Sequence, residues 1–460
     1  MDNKLLSFLF LVSLVLVSRC TGEYESDLEE IQRRIEAQQC RLQQLSSRGP
    51  SRRIESEGGF MEMWDENEDQ FLCAGVTVSR TIVRPRSLTA LGYENSPSLA
   101  YVQQGRAVAG VTFPRCPETF FSGRSEQERD RHQKLHRIQQ GDIFAVPLGT
   151  VYWFYNHGDQ DLILLTVFDL NNKFNQLDNS LRFFPLVENF QGLSSSQQFG
   201  REQEEKKQKQ KNIISALDPQ LVSESLNIDL ETVRQIQSSE IRGPIFRLDH
   251  QQQQSLFWPE DEEDPQKIYQ SNGLDEKVCY SRLQFNLDRR GEADVYSRQA
   301  GRLNSVTANK LPVLQLIGMS AEKVNLLPDA IFSPHYSVNS HTIVVVTRGD
   351  GRLQVVDDRG RNVFNGRVKQ GEVIVIPQHY VSMKKAGSNG MEWVSFKTSA
   401  YPVKNQFAGR LSLFSGTPVQ VLASSYGISF GQARQLKQCR KQDFVLFPPA
   451  STSSAFMGDC

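Results

Sequence analysis

Two long segments of the chain alternate short apolar and polar runs and are punctuated by glycine. The first extends from about Phe71 to Asp169 and the second from about Val278 to Thr398, and both are rich in Val, Ile, Phe and Thr. Short alternating runs with turn residues between them are typical of antiparallel β-strands. The pattern therefore predicts two β-rich units, each a sandwich or a barrel.

Each β-rich segment is followed by apolar residues at helical spacing, in Ile213 to Ile236 and in Val419 to Leu436. The two stretches match at a constant offset of 200 residues, and the matching pairs are Leu221 and Val421, Ile228 and Ile428, Leu230 and Phe430, Arg234 and Arg434, Gln235 and Gln435, and Ile236 and Leu436. Self-similarity at a fixed offset indicates an internal duplication. We therefore predict two copies of one unit, a β-barrel or sandwich with a helical extension.

Three other segments are strongly polar. They are Ser122 to His136, Gln191 to Lys211 and Asp249 to Gln270, and the last two contain runs such as EEKKQKQK and QQQQ. Such runs have too few apolar residues to offset the entropy lost on ordering. We interpret all three as solvated segments and expect the last two to be disordered loops.

Length and charge narrow the class of protein. The chain has 460 residues, which is enough for two or three domains, and 52 Lys and Arg nearly balance 53 Asp and Glu. This balance provides no overall positive field for nucleic acid or an anionic membrane.

The N-terminal residues have the pattern of a secretory signal. Lys4 precedes an apolar run from Leu5 to Val17, which is too short to span a bilayer and is followed by small residues. We interpret residues 1–22 as a cleaved signal peptide, which implies passage through an oxidising compartment.

The cysteine spacing leaves the disulfide pairing open. The seven cysteines are Cys20, Cys40, Cys73, Cys116, Cys279, Cys439 and Cys460. Cleavage of the signal after Cys20 or Gly22 would leave six, and six cysteines allow fifteen pairings. A zinc site is disfavoured because no two cysteines stand two to four residues apart.

An Asn-Gly pair, Asn272 and Gly273, follows the acidic run of the last polar segment. Asn-Gly is a strong turn signal, so a hairpin turn is one interpretation. The pair also lies in a polar linker between two repeats, where a protease can bind the chain in extended form. A processing site is the second interpretation.

The first repeat contains a spacing that resembles the second sequence motif of the cupin family. Metal-dependent cupins have a histidine ligand where this chain has Tyr152, and a phenol is a poor substitute for imidazole on a divalent ion. The other motif positions are kept at Gly141, Pro147, Gly149 and Asn156. Counting back from Gly105 places the ligand positions of the first cupin motif at Leu91, Tyr93 and Ser98.

The second repeat is also poor in metal ligands. Counting back from Gly349 places the first-motif ligand positions at His335, Ser337 and Thr342, and Ser382 stands at the histidine position of the second motif. A slip of one residue would bring His341 to one of these positions. Because a metal needs three or four ligands that converge from different strands, we expect no metal site and interpret His335 as a packed histidine.

Eight sequence blocks give a closer resemblance. From about Gln39 to Pro449 the chain resembles the legumin-type, or 11S, seed storage globulins. The blocks are IESEGG at Ile54, LCAGV at Leu72, FPRCPETF at Phe113, DRHQKLHRI at Asp130, GDIFAVPLG at Gly141, NGLDEKVC at Asn272, PHYSVNSH at Pro334 and DFVLFPP at Asp443. The resemblance implies an all-β dominated fold of two cupin, or jelly-roll, β-barrels, each with a helical extension.

The resemblance also implies covalent features at particular residues. In the family, an acidic subunit carries an intrachain disulfide at the positions of Cys40 and Cys73, and a second disulfide at those of Cys116 and Cys279 joins it to a basic subunit. An asparaginyl endopeptidase cuts after the residue that matches Asn272, so Gly273 would begin the basic subunit. The family forms trimers on synthesis and hexamers after the cut. The resemblance assigns no disulfide partner to Cys439 or Cys460.

The implied domains are a signal peptide at 1–22, an N-terminal cupin domain at 23–248 with a disordered loop at about 191–211, a disordered acidic linker at 249–272 and a C-terminal cupin domain at 273–460. The implied function is a nitrogen and amino-acid reserve without cofactor, nucleic-acid partner or membrane association. Its route would run through the endoplasmic reticulum to the seed storage vacuole.

Two other functions remain as alternatives. A metal-dependent bicupin oxidase or decarboxylase would need the His and Glu ligands that both repeats lack. A small-molecule-binding bicupin would need an open barrel cavity with converging polar groups. The bulky run at Tyr152, Trp153 and Phe154 favours a filled first barrel.

The predicted helices carry apolar stripes with two interpretations. They form trimer contacts, or they pack only against their own barrels. The stripe residues are Leu226, Leu230, Val233 and Ile236, and then Leu422, Tyr426, Phe430, Ala433 and Leu436.

Overall fold

The computed structural model describes residues 35, 37–122, 130–187, 212–238, 243–249 and 279–449. Within these ranges it confirms a β-dominated chain with two barrels, each followed by a helical extension. The predicted signal peptide at 1–22, the polar loop at 191–211, Asn272 and Gly273 lie outside the described residues.

The first barrel has two antiparallel sheets around an apolar core. Its central strand, Leu162–Asp169, is a nearly continuous apolar run, as expected of a strand that is covered on both faces. In chain order the strands are β1 Arg52–Ser56, β2 Gly59–Met63, β3 Val76–Val83, β4 Ser87–Thr89, β5 Gly92–Glu94, β6 Ser98–Gln104, β7 Arg106–Thr112, β8 Phe120–Ser122, β9 Asp130–His132, β10 Leu135–Gln139, β11 Asp142–Val146, β12 Val151–Tyr155, β13 Leu162–Asp169, β14 Phe183–Pro185 and β15 Ile245–Arg247.

The β structure begins earlier than the sequence pattern predicts. Strands β1 and β2 precede Phe71, and Phe71 itself lies in a short helix, α1 Asp69–Ala74. The helix ends at Gly75, whose φ of 61° is in the left-handed region that glycine adopts readily. The helix places Cys73 beside the second barrel core.

The second barrel is built around two long strands that pair with each other over most of their length. Pairing runs from Thr342 opposite Lys397 to Val356 opposite Val381, with bulges that let the ribbon bend. After β16 Gln284–Asn286, the strands are β17 Val295–Ser297, β18 Gly301–Val306, β19 Ser320–Leu326, β20 Ile331–Ser337, β21 Thr342–Val356, β22 Asn362–Lys369, β23 Val373–Ile376, β24 Val381–Lys397, β25 Lys404–Gln406 and β26 Leu446–Phe447. Short helical turns lie at Arg290–Glu292, α4 Leu314–Ile317 and α5 Leu413–Gly416.

Each helical extension is a pair of helices rather than one continuous helix. The first pair is α2 Pro219–Leu226 and α3 Leu230–Ser238, preceded by a 3-10 turn at Ile213–Ala216, and the second pair is α6 Val419–Tyr426 and α7 Phe430–Gln438. Asn227 and Gly427 end the first helix of each pair in left-handed conformation, with φ of 54° and 63°. The two breaks are 200 residues apart, so the internal duplication is visible in the backbone.

Two segments cross from one barrel to the other, and we call residues 37–48 and 279–288 the exchanged segments. In the first, Leu42 and Leu45 are buried in the core of the second barrel, and the Leu45 amide donates to the Val363 carbonyl at 2.9 Å. In the second, β16 pairs antiparallel with β11 of the first barrel, with Phe285 opposite Ile143. The predicted domain boundary between residues 272 and 273 stays a prediction. Strand β16 follows this boundary in the sequence but lies in a sheet of the first barrel.

The two barrels also share buried contacts. A single apolar cluster contains Ile143 of the first barrel, Phe285 of the exchanged segment and Val394 of the second barrel. The Lys323 ammonium donates to the Tyr101 hydroxyl at 2.8 Å and forms an ion pair with Asp288. The barrels and their exchanged segments therefore form one packed body.

Candidate functional site

At the cupin ligand position of the first barrel, a partly buried tyrosine is paired with a buried carboxyl group. The Tyr152 hydroxyl on β12 donates to Glu94 Oε1 on β5 at 2.6 Å. Glu94 is 7% exposed, and its Oε2 accepts no hydrogen bond from the described residues. The pair faces a cavity of about 60 Å³, which has space for only a few water molecules.

The motif spacing identified some of the residues around this cavity. Ser98 and Tyr152 both line the cavity. Tyr93 instead stacks on Phe184, with ring centroids 4.9 Å apart, and Glu94 was not identified from the motif spacing. No local signal marks Glu94, because it ends the three-residue strand β5 and is followed by the polar residues Asn95 and Ser96.

The side chains around Tyr152 and Glu94 do not fit a divalent metal. It offers a phenol, one carboxyl group and hydroxyls, without an imidazole. Over the described ranges, the one group of three His, Cys or acidic ligand atoms within 4.8 Å of one another is Cys40, Cys73 and His341. Both of those sulfurs are in a disulfide, so they are not thiolate ligands.

Burial controls the charge of Glu94. Desolvation raises the pKa of Glu94 from 4.5 to about 7, although the hydrogen bond from Tyr152 lowers it. Desolvation and the neighbouring Glu94 carboxylate raise the pKa of Tyr152 well above its usual value. The pair is therefore largely neutral below pH 7, as its apolar surroundings require.

We expect Glu94→Gln to flatten the pH dependence of stability between about pH 4.5 and 7. In this window the folded wild-type protein keeps a proton that the unfolded chain releases, so its free energy of unfolding falls as the pH rises. Above pH 7 the variant should be more stable by roughly 1–3 kcal/mol. Urea titrations at several pH values would measure this. Glu224→Gln, at an exposed position, is the control. If the free energy of unfolding changed with pH at the same slope in wild type and in Glu94→Gln, the expectation would be contradicted.

The second barrel brings the counted ligand positions together on neighbouring strands. His335 on β20 is opposite Ser382 on β24, and the Ser337 and Thr342 hydroxyls are 3.1 Å apart. His335 Nδ1 lies 2.9 Å from the Ser333 carbonyl oxygen, which can only accept, so in the neutral ring this nitrogen carries the proton. The imidazole also packs against the Phe332 ring, with the two ring centroids 4.9 Å apart. The geometry agrees with the interpretation of His335 as a packed histidine.

Three lysines and one glutamate surround these positions, and none of the four was identified from the sequence. Lys384 and Lys397 are each 2% exposed and Glu322 is 5% exposed. Lys404 forms an ion pair with Glu322, and the Lys397 ammonium donates to Thr342 Oγ1 at 3.2 Å. We call Glu322, Lys384, Lys397 and Lys404 the lysine cluster.

The lysine cluster has strongly shifted pKa values. Burial alone would raise the pKa of Glu322, but Lys404 and Lys397 lower it to about 2. Burial lowers the pKa of Lys384 to about 7 and that of Lys397 to about 8, although Glu322 opposes both shifts. Burial, together with Lys384 and Lys404, also lowers the pKa of His335 well below its usual value. The cluster is therefore cationic at mildly acidic pH, and the neighbouring imidazole is neutral.

The structure joins Cys40 to Cys73 and Cys116 to Cys279, with Cα–Cα distances of 4.7 and 5.5 Å. The first bridge attaches an exchanged segment to α1. The second connects the loop after β7 to the start of the other exchanged segment, 163 residues further along the chain. Cys439 is exposed after α7, and Cys460 lies outside the described residues.

No helix in the part of the chain that the structure describes combines the length and apolarity needed to cross a membrane. A family model described as Cupin matches residues 45–198 and 285–434. The chain is 40% identical to 11S globulin seed storage protein 2 of Sesamum indicum, over 96% of this chain and 99% of that protein.

Solved structures give the same assignment of fold. The crystal structure of the coconut allergen cocosin matches with a TM-score of 0.79 and 35% identity, over 89% of this chain and 100% of that one. The recombinant pro-11S globulin of pumpkin matches with a TM-score of 0.78 and 35% identity, over the same shares of the two chains.

Proposed function

The chain belongs to the 11S seed storage globulins of the cupin family, and we propose that it is a nitrogen reserve deposited as an oligomer and cut after Asn272 by an asparaginyl endopeptidase. It is a storage protein and not an enzyme. The observation that carries the proposal is the near full-length similarity to the Sesamum indicum storage globulin, combined with cupin ligand positions that hold Tyr152, Ser337, Thr342 and Ser382.

A disulfide that spans the proposed cut in sequence supports a product that stays assembled. Cys116 and Cys279 lie on opposite sides of Asn272 in the chain and are joined covalently. Cleavage would therefore leave the acidic and basic subunits linked by a disulfide. The likeness to the pro-11S globulin of pumpkin supports an uncut precursor with this fold. We propose that it passes through the secretory pathway to the storage vacuole.

Exposed apolar side chains on both helical extensions support self-association. Within each helix pair one side is buried, at Val233 and at Leu422 and Ala433. The other side leaves large apolar residues exposed by 41–66%, and these are Leu221, Leu226, Val421, Tyr426, Phe430 and Leu436. Several large exposed apolar side chains on one element are typical of protein–protein contacts. We propose trimers before the cut and hexamers after it, once the 249–272 segment is free to leave a trimer face.

Electrophoresis of the native protein with and without reductant, followed by N-terminal sequencing, tests the proposal. We expect one band near the full mass that separates on reduction into two fragments, the smaller of which begins at Gly273. Sedimentation should give a hexamer for the cut protein and a trimer for Asn272→Gln. A single uncut chain from mature seed, or hexamers of Asn272→Gln, would overturn the cut or its role in assembly.

A further inference from the structure

The second barrel contains an open cavity of about 320 Å³, in the size range of small-molecule sites. Its inner end is lined by Glu322, His335, Lys397 and Lys404, and its walls include Leu303 and Val445. Leu411 and Phe444, which also line it, are 73% and 43% exposed. The cavity therefore extends from exposed apolar side chains to a buried, charged end.

The charges at the inner end do not balance. Glu322 is paired with Lys404 and faces Lys397, and Lys384 lies just behind it over the rings of Phe332 and Trp393, at 5.5 and 5.4 Å. Among the described residues, no oxygen accepts a hydrogen bond from the Lys384 ammonium. Three ammonium groups thus accompany one carboxylate. Buried charges are normally paired, so this end of the cavity lacks negative charge.

We propose that this cavity binds a small organic carboxylate. The carboxylate group would lie at the inner end and accept hydrogen bonds from Lys397 and Lys404, while an apolar body would lie between Leu303 and Val445. Inorganic anions could neutralise the same lysines, but they would leave the apolar walls without contacts. A metal cation is disfavoured because the lysines repel it.

The proposal predicts a pH dependence with a defined sign. The charged or titratable groups that line this end are Glu322 on β19, His335 on β20, Lys397 on β24 and Lys404 on β25, and Lys384 on β24 lies behind them. As the pH falls from about 9 to 6, Lys397 and Lys384 become protonated, whereas Glu322 stays ionised and His335 stays neutral. Affinity for an anion should therefore increase over this range.

Titration calorimetry of the purified native oligomer with benzoate tests the proposal. Benzoate stays ionised from pH 6 to 9, so any change in affinity reports on the protein. We expect saturable binding at pH 6 that is stronger than that of benzyl alcohol, which lacks the charge, and than that of phosphate, which lacks the apolar body. We also expect weaker binding at pH 9.

Two lysine variants make the test specific. Lys397→Met, which removes a donor at the cavity, should weaken benzoate binding by about tenfold to a hundredfold. Lys384→Met should weaken it less, because Lys384 acts only through its charge. Lys385→Met is the matched control, since Lys385 is the exposed neighbour on the same strand. Absence of benzoate binding, or equal affinity in Lys397→Met and Lys385→Met, would overturn the proposal, with circular dichroism confirming that each variant is folded.

Discussion

Replacing Glu322 by glutamine will lower the free energy of unfolding at pH 6 by about 3–5 kcal/mol, the range seen when a buried ion pair loses one partner. Glu322 is the carboxylate that faces Lys397 and Lys404, and the loss of its charge leaves the buried Lys384 and Lys397 and the partly exposed Lys404 without a counter-charge. The loss should shrink as the pH rises towards 9, because the buried lysines then release their protons. Urea titrations at pH 6 and 9 would measure both effects.

A surface carboxylate provides the control for Glu322. Glu292 is exposed and lies 3.1 Å from Arg289, so Glu292→Gln should cost less than about 1 kcal/mol. In the double variant Glu322→Gln and Lys384→Met, part of the lost stability should return, because one unpaired charge is removed with its counter-charge. A loss of less than 1 kcal/mol in Glu322→Gln would mean that the lysines are neutral in the folded protein.

Replacing Cys279 by serine in the uncut chain will lower the free energy of unfolding by about 3–5 kcal/mol. The Cys116–Cys279 bridge closes a loop of 163 residues, and cross-linking so long a loop removes much entropy from the unfolded chain. Thermal unfolding followed by circular dichroism would measure the change. In the cut protein, the same substitution should make unfolding depend more steeply on protein concentration than it does in the cut wild type, since the two fragments would then separate in addition to the subunits.

The other bridge gives a graded comparison. Cys40 and Cys73 are 33 residues apart, so Cys40→Ser should cost about 1.4 kcal/mol less than Cys279→Ser on loop length alone. Its effect on the cut protein should not depend on concentration, because both cysteines precede Asn272. A transition in cut Cys40→Ser that depends more steeply on concentration than in the cut wild type, or an unchanged midpoint in Cys279→Ser, would contradict this account.

The sequence was sufficient for the repeated architecture because the relevant signals are local. Alternating strands, the glycine and proline spacing around Tyr152 and the matching helical stretches each occupy a short window. The break in each helical stretch was missed, although Gly427 is a helix-ending signal at its position and Asn227 adopts the same left-handed conformation.

The charged interior of the second barrel was missed for a physical reason. Lys384 and Lys385 are adjacent in sequence, and a Lys-Lys pair is typical of a solvated surface. In strand β24, alternate side chains point to opposite faces, so Lys384 is buried and Lys385 is exposed. Only the register of β24 with β19, β20 and β21 brings Lys384, Lys397 and Glu322 together, and that register depends on pairs of residues far apart in the chain.

The exchanged segments constrain the order in which folding and the proposed cleavage can occur. Residues 37–48 complete the core of the second barrel, and β16 extends a sheet of the first, so each fragment needs part of the other. While the chain is continuous, these contacts form within one molecule and at a rate independent of dilution. A cut made before folding would turn them into an encounter between two unstable partners, each with an unpaired strand edge that favours aggregation. If the chain is cut after Asn272 as proposed, folding must therefore come first, and the protease would act on the finished fold.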